Sequence, residues 1–264
     1  MSNASTSFGT VDARVPVDPQ TVGEDGSYAP YEYWMSLWGL DNLYAYALRL
    51  LGDLKGKALL DCGCGPGHTS VMLAKRGAEV TAFDTAVDQL ATAEGLARAN
   101  GVSVTFLCQP FENLALPAEG FDLLFGAFVL HHVDLPKACE QIRRVLKPGG
   151  RAVFIENSAL NPLLMLGRSR VCGRFGVAKY SDDHEHPLTR RDLSTLREAF
   201  PKACTIHYPE FLFMRLLDFY IFKKRWGWMT WALRSLDQIA GTIHFVRKYG
   251  YLQVVELRKE LRDS

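Results

Sequence analysis

Leu59-Leu60-Asp61-Cys62-Gly63-Cys64-Gly65-Pro66-Gly67-His68 is the stretch on which the reading of this chain turns. Two apolar residues and an acid lead into a turn with glycines at three alternate positions, and a helix-like run follows from His68 to Arg76. Glycine, lacking Cβ, adopts backbone angles closed to other residues and lets another group lie against bare main chain. The helix beyond offers free amides and the positive end of its dipole to that turn. Two phosphate-binding readings fail. A dinucleotide fingerprint begun at Gly63 requires glycine where His68 stands, and no Gly-Lys-Ser/Thr ending marks a P-loop.

Outward from the turn, strand and helix patterns alternate. Glu79–Phe83 is a short strand ending at Asp84, Val87–Ala99 a helix closed by Asn100-Gly101, and Val102–Leu107 an alternating strand. Phe121–Phe128 is a buried strand. Pro136–Leu146 is a helix stopped by Lys147-Pro148-Gly149-Gly150, and Arg151–Glu156 is a further strand. Strands that are nearly all apolar, separated by helices, indicate a doubly wound α/β fold whose parallel sheet is covered on both faces. Toward the end, Thr189 caps a helix to Phe200, and Cys204–Tyr208 and Tyr251–Leu257 read as strands. Between them Phe211–Tyr249 carries nine Phe, Trp or Tyr residues before its closing tyrosine; a structureless loop that long is improbable, so helices over the sheet are expected.

The glycine turn fits Asp-x-Gly-x-Gly-x-Gly, and here the chain resembles the class I S-adenosylmethionine-dependent methyltransferases. Three further segments match that family in order: Val80–Asp84, Phe121–Leu124 running through Val129-Leu130-His131-His132-Val133, and Arg144–Gly150. The likeness covers roughly residues 55–157. It implies a mostly parallel Rossmann-like sheet with an antiparallel last strand, and a cofactor, S-adenosyl-L-methionine, that leaves as S-adenosyl-L-homocysteine. Asp61 would lie near the methionine end, Gly63, Cys64 and Gly65 would admit the adenosyl part, and Asp84 with Thr85 would meet the ribose hydroxyls. Ala127 would border the site from the fourth strand. One departure is visible. Where many members carry an acid for the adenine amino group, Pro110 stands in Cys108-Gln109-Pro110-Phe111-Glu112-Asn113-Leu114. That passes the adenine contact to Phe111, to backbone groups or to Gln109.

Composition narrows the classes. Thirty Lys and Arg balance 29 acids, which removes the footprint of a dedicated nucleic-acid binder. Six scattered cysteines suit neither a disulfide framework nor a zinc site, so a reducing cytoplasm and no structural metal are expected. The longest run without Asp, Glu, Lys or Arg, Cys62–Ala74, is too short to span a bilayer, and no signal peptide is expected. Residues 1–27 read as a flexible arm and 28–264 as one domain, with insertions at 157–188 and 211–249 that build the acceptor pocket.

For the acceptor, the aromatic content of the insertions points to a small, apolar or lipid-linked molecule. Tyr28, Tyr31, Trp34 and Phe213 are its candidate contacts. Oxygen methylation needs a base near neutral pH, which nominates His184 or His186 in Asp182-Asp183-His184-Glu185-His186, with His132 in reserve. The same acidic and histidine-rich run reads equally as a solvated loop. Phe211–Arg225 reads as a lid wall, with a peripheral membrane contact kept open by Lys223-Lys224-Arg225 beside Trp226 and Trp228. The alternatives to methyl transfer are an inactive cofactor-binding partner subunit and a rearrangement or cyclisation enzyme. Oligomeric state is not legible.

Overall fold

Alternation along β1 (Ala58–Cys62) sets the architecture: Leu59 joins one apolar cluster, and Leu60 and Cys62 join another on the opposite face. The same split recurs in β4 (Phe121–Ala127), with Phe125 on the first side and Leu124 on the second. In β5 (Leu146–Asn157) Val153 and Phe154 divide in the same way. A sheet with two apolar faces must be covered twice. In the computed structural model, which describes residues 40–170, 172, 186–222 and 225–261, it is.

Helices α1 (Asp41–Leu51), α2 (His68–Lys75) and α3 (Val87–Ala99) cover the first face through Leu43, Ala47, Val71, Leu73, Leu90 and Leu96. Helices α4 (Leu135–Val145) and α6 (Arg190–Ala199), with α5 (Pro162–Arg170) between them in the chain, belong to the second half. Leu135, Ala138, Cys139, Ile142 and Val145 form the inward stripe of α4, a helical spacing, and the Lys137 N–H donates to the Asp134 cap. Thr189 starts α6 with a full capping box: its hydroxyl accepts from the Asp192 N–H while the Asp192 carboxylate accepts from the Thr189 N–H.

The seven strands lie in the order β3-β2-β1-β4-β5-β7-β6, with β2 (Glu79–Asp84), β3 (Val104–Cys108), β6 (Cys204–His207) and β7 (Leu252–Arg258) completing the set. β1 pairs in parallel with β2 and β4, and only β7 runs against its neighbours, β5 and β6. Strand order reverses between β1 and β4, which opens a crevice at their carboxyl ends. The Rossmann-like reading, antiparallel strand included, describes this sheet.

One expectation is corrected. Lys147–Gly150 is strand, not a turn outside it: β5 begins at Leu146 and pairs with β4 across a register break between Phe121 and Leu123, which absorbs Pro148 and Gly149. The segments after β6 are helical, as the length of that stretch requires, and Leu216 packs against the first-face cluster. Those segments are α7 (Met214–Leu217), a π turn (Asp218–Phe222), α8 (Gly227–Thr242) and α9 (His244–Arg247). They pack chiefly on one another. Both insertions nonetheless leave from the carboxyl edge, because Asn157 at the end of β5 pairs with Leu252 at the start of β7. The arm 1–27 and the residues Tyr28, Tyr31 and Trp34 lie outside the described residues.

Glu256 on β7 links the far half of the sheet. It accepts from Arg258 Nε at 2.9 Å, pairs with Arg151, and meets His207 Nε2 at 2.9 Å, while His207 Nδ1 meets the Tyr46 hydroxyl of α1 at 3.0 Å. Burial raises its pKa, but hydrogen bonds from Arg258 and His207 and the two guanidinium charges more than offset this and hold it below 4.5. A carboxyl depressed in the folded state contributes stability above its unfolded pKa and loses it as pH falls through the folded one. Glu256→Gln should therefore lower the unfolding temperature at pH 7 and leave the gap to the parent smaller at pH 3, measured by calorimetry at both.

Candidate functional site at the carboxyl ends of β1 and β4

Asp61 shares the face of Leu59 and so points toward α1 and α2. It is 1% exposed. One carboxylate oxygen, Oδ2, accepts from the Thr69 hydroxyl at 2.7 Å and the Ser70 hydroxyl at 2.6 Å, both in the first turn of α2. The other, Oδ1, is buried with no hydrogen-bond partner among the described residues. Burial pushes the Asp61 pKa up to about 6 against the pull of the two hydroxyls, and the nearby Asp84 charge adds to the rise. Tyr44 of α1 closes the other side: burial and the Asp61 charge raise its phenol. The sequence pattern did not nominate Tyr44; its helical position facing the glycine turn is visible only in three dimensions.

The turn itself is pinned to β2. The Cys64 N–H donates to the Phe83 carbonyl at 2.9 Å and the Gly65 N–H to Asp84 Oδ2 at 2.8 Å, while the Ala86 N–H donates to Asp84 Oδ1 at 2.9 Å. Each Asp84 oxygen keeps a second lone pair for another donor. The three glycines all have positive φ, but their reasons differ. A Cβ at Gly63 would meet Val129 Cγ2 at 2.5 Å, and one at Gly67 would meet Ala93 Cβ at 2.6 Å. At these two positions glycine makes room for neighbouring side chains of the protein. Cys62 and Cys64 are buried thiols whose pKa values burial raises, as befits packing residues. Burial likewise pulls His68 down to about 4, so the imidazole after the turn is neutral.

At the end of β3, the Gln109 N–H donates to the Asp84 carbonyl at 3.1 Å. The Gln109 side-chain oxygen accepts from the Ala115 N–H at 3.0 Å, and its buried amide nitrogen has no partner among the described residues. Phe111 is 3% exposed, edge-on to Phe83 at 5.2 Å and 6.4 Å from Phe154. Its ring is a core ring, so of the three adenine contacts expected for this segment the ring is the one that packing has claimed. Thr85 is exposed, its carbonyl accepting from the Cys108 thiol, and Ala127 closes β4 almost buried.

Beyond Ala127 the chain bends through Phe128, a non-glycine residue at φ 59. Such angles store strain and cluster where a surrounding structure enforces them. Here the enforcement is Glu156, fully buried near the end of β5. Its Oε1 accepts the Val129 and Leu130 N–H groups at 2.9 and 2.7 Å, and its Oε2 lies 2.7 Å from His131 Nδ1. His132 is exposed, its ring centroid 4.1 Å from that of His131. The Glu156–His131 pair was missed in the sequence because 25 residues separate its members. His186 is exposed coil, Phe213 is half-buried ahead of α7, and His184 lies outside the described residues. Among the described residues no three His, Cys, Asp or Glu gather as a metal site, and no helix is long and apolar enough to cross a membrane.

Asp61 and Asp84 are carboxylates, and no Lys or Arg occurs from 61 to 74. That donor set repels a pyrophosphate and fits a cationic nucleoside: an orphan buried oxygen for a cation, free lone pairs for ribose hydroxyls, and an unpartnered amide donor for a base. Comparison with known proteins agrees. Residues 60–154 match the family described as Methyltransferase domain. A ubiquinone biosynthesis O-methyltransferase of Coxiella burnetii (strain Dugway 5J108-111) is 36% identical over 102 residues, 38% of this chain and 44% of that protein. A malonyl-[acyl-carrier protein] O-methyltransferase of Serratia marcescens is 37% identical over 110 residues, 40% of this chain and 42% of that protein. The chain thus matches less than half the length of either relative. An S-adenosylmethionine-dependent methyltransferase structure from Mesorhizobium loti superposes with TM-score 0.55 at 20% identity, over 84% of this chain and all of that one, a likeness of fold.

A carboxyl that binds its proton more tightly folded than unfolded favours folding at low pH and opposes it once ionised. With Asp61 at about 6 against 3.8, the penalty grows from pH 3.8 to 6 and stays on the order of 3 kcal/mol above that. Asp61→Asn removes the charge and keeps an oxygen for Ser70 and Thr69. The ligand-free variant should melt several degrees higher than the parent at pH 8, with no such gain at pH 4, by scanning calorimetry.

Proposed function

We propose that this chain, which carries in residues 60–154 a methyltransferase domain of the class I S-adenosylmethionine-dependent type, methylates an oxygen of a small, apolar or lipid-linked acceptor. The bound cofactor supplies an electrophilic methyl on a sulfonium. Asp61 Oδ1 takes the methionine ammonium, which ends its isolation; Asp84 takes the ribose hydroxyls with its remaining lone pairs; Gln109 offers its free amide to the adenine ring. The carboxylate with one oxygen unmet is the observation that carries this reading, since a buried orphan oxygen is costly without a bound partner. Oxygen as the acceptor atom follows from the activities of both relatives, which are O-methyltransferases.

The histidine pair after β4 handles the acceptor's proton. Glu156 fixes the His131 ring through Nδ1–H, which leaves the lone pair on Nε2, and His131 in turn lies tilted against exposed His132. The Val129 and Leu130 amides lock Glu156 itself, so the pair is held before any acceptor arrives. His186 and His184, on the insertion after β5, are the other candidates for this proton, and Phe213 contributes to the acceptor wall. In-line displacement demands an acceptor oxygen about 3 Å from the methyl carbon, so holding and drying the cleft is most of the protein's work.

Mass analysis after incubation with S-adenosylmethionine and polyprenyl phenols or acyl-carrier thioester acids should show the acceptor gaining one methyl; an isomerised acceptor would favour the cyclisation alternative instead. Glu156→Gln keeps an oxygen for the Val129 and Leu130 amides but turns a donor toward His131, reversing its tautomer. It should lower kcat about 100-fold or more while cofactor Kd stays within about twofold. An unchanged kcat removes the histidine pair from the mechanism.

A further inference from the structure

Helix α8 is built inside out. Its only fully buried residue is Asp237, which accepts the Phe213, Met214 and Arg215 N–H groups at 3.1, 2.8 and 3.0 Å and pairs with the Arg215 guanidinium. Nine residues earlier, and so about 180° around the helix at roughly 100° per residue, stands Trp228. Trp228, Trp231, Ser235 and Ile239 follow the three- and four-residue spacing of one stripe, and that stripe faces solvent: Trp228 is 71%, Trp231 72% and Ile239 64% exposed. Phe245 on α9 is 70% exposed. A helix that turns its one acid inward and its tryptophans outward has reversed the usual amphipathic arrangement.

Charge follows the same segment. From Ile221 to Gly250 there are six Lys or Arg against one acid, and that acid is the buried Asp237, whereas the whole chain is balanced at 30 to 29. Arg225 lies over the Trp226 ring at 5.6 Å, and Arg234 and Lys248 are exposed. A second apolar element stands beside this one at the root. Helix α5 exposes Leu163 and Leu166 and buries no residue, and Asn161 just before it donates to the Tyr249 carbonyl at 2.8 Å.

We propose that the outward face of α8 and α9 docks in the headgroup region of an anionic lipid bilayer. Tryptophan favours that boundary, basic residues gain from anionic lipid, and an in-plane helix with both needs no spanning length. A second copy of the chain is the poorer occupant: two-fold pairing of this face would set its basic residues against their own images. The segment rises from the same sheet edge as Asp61, so an acceptor dissolved in lipid reaches the cleft beside its own membrane. The assignment stands on this surface and is independent of whether the chain transfers a methyl group.

Flotation of the full chain with vesicles tests it. The chain should rise with vesicles of mixed phosphatidylcholine and phosphatidylglycerol and stay below with phosphatidylcholine alone. Its tryptophan emission should shift to the blue in the first case. Trp228→Ser with Trp231→Ser should weaken binding at least about tenfold at unchanged helical circular dichroism, and Arg225→Glu with Arg234→Glu should abolish the preference for anionic lipid. Failure of the parent chain to float with anionic vesicles overturns the proposal. So does equal binding by both variants, or a dimer in sedimentation velocity that the tryptophan pair splits without any vesicle binding.

Discussion

A carboxylate buried with one oxygen met and the other unmet is the constraint around which this molecule is arranged. Asp61 reaches that position because β1 alternates: Leu59 and Asp61 face one layer, Leu60 and Cys62 the other. Thr69 and Ser70 then hold Oδ2, and they sit where they do because Gly67, at φ 84 against Ala93, lets α2 start close to α3. The turn and the packing of the two helices are thus one feature. Hydroxyl donors from the helix satisfy one oxygen of the acid, and the other stays unmet.

The carboxyl edge is held by a second acid. Glu156 gathers the backbone after β4 and the His131 ring, and in doing so fixes Phe128 in a left-handed conformation that a bulky residue does not choose alone. A charged network elsewhere, around Glu256, fastens β7 to α1. The two networks serve different ends: Glu256 joins layers of the fold, while Glu156 shapes the lip of the crevice opened by the strand-order reversal. Since β7 returns against β5, the insertions before and after β6 open on that same lip.

Much of this was readable in the residues, and for physical reasons. Apolar runs two to seven residues long between helical patterns can only be strands covered twice, which gave the sheet; Thr189 and Asp192 spell a helix start in one line of sequence. The acids at 61 and 84 stood out through the order of the motifs, Asp-x-Gly-x-Gly-x-Gly and then a strand ending in an acid. What escaped depends on contacts distant in the chain. No spacing rule joins His131 to Glu156 or Tyr44 to Asp61. That Val129 stands where a Gly63 side chain would go is equally invisible in sequence, and Phe111 looks available until Phe83 and Phe154 close around it. The inward position of α8 belongs to Asp237 for a reason no local pattern spells out: three backbone amides at the start of α7 need an acceptor.

The central claim is that Asp61 receives the ammonium of a cationic nucleoside in its ionised form. Calorimetric titration with S-adenosylmethionine across the titration of that carboxyl tests it most directly. With the acid at about 6, the affinity of the parent chain should rise about tenfold between pH 5 and pH 7, and the rise should vanish in Asp61→Asn. A flat profile in the parent, or the same rise in the variant, would contradict the account.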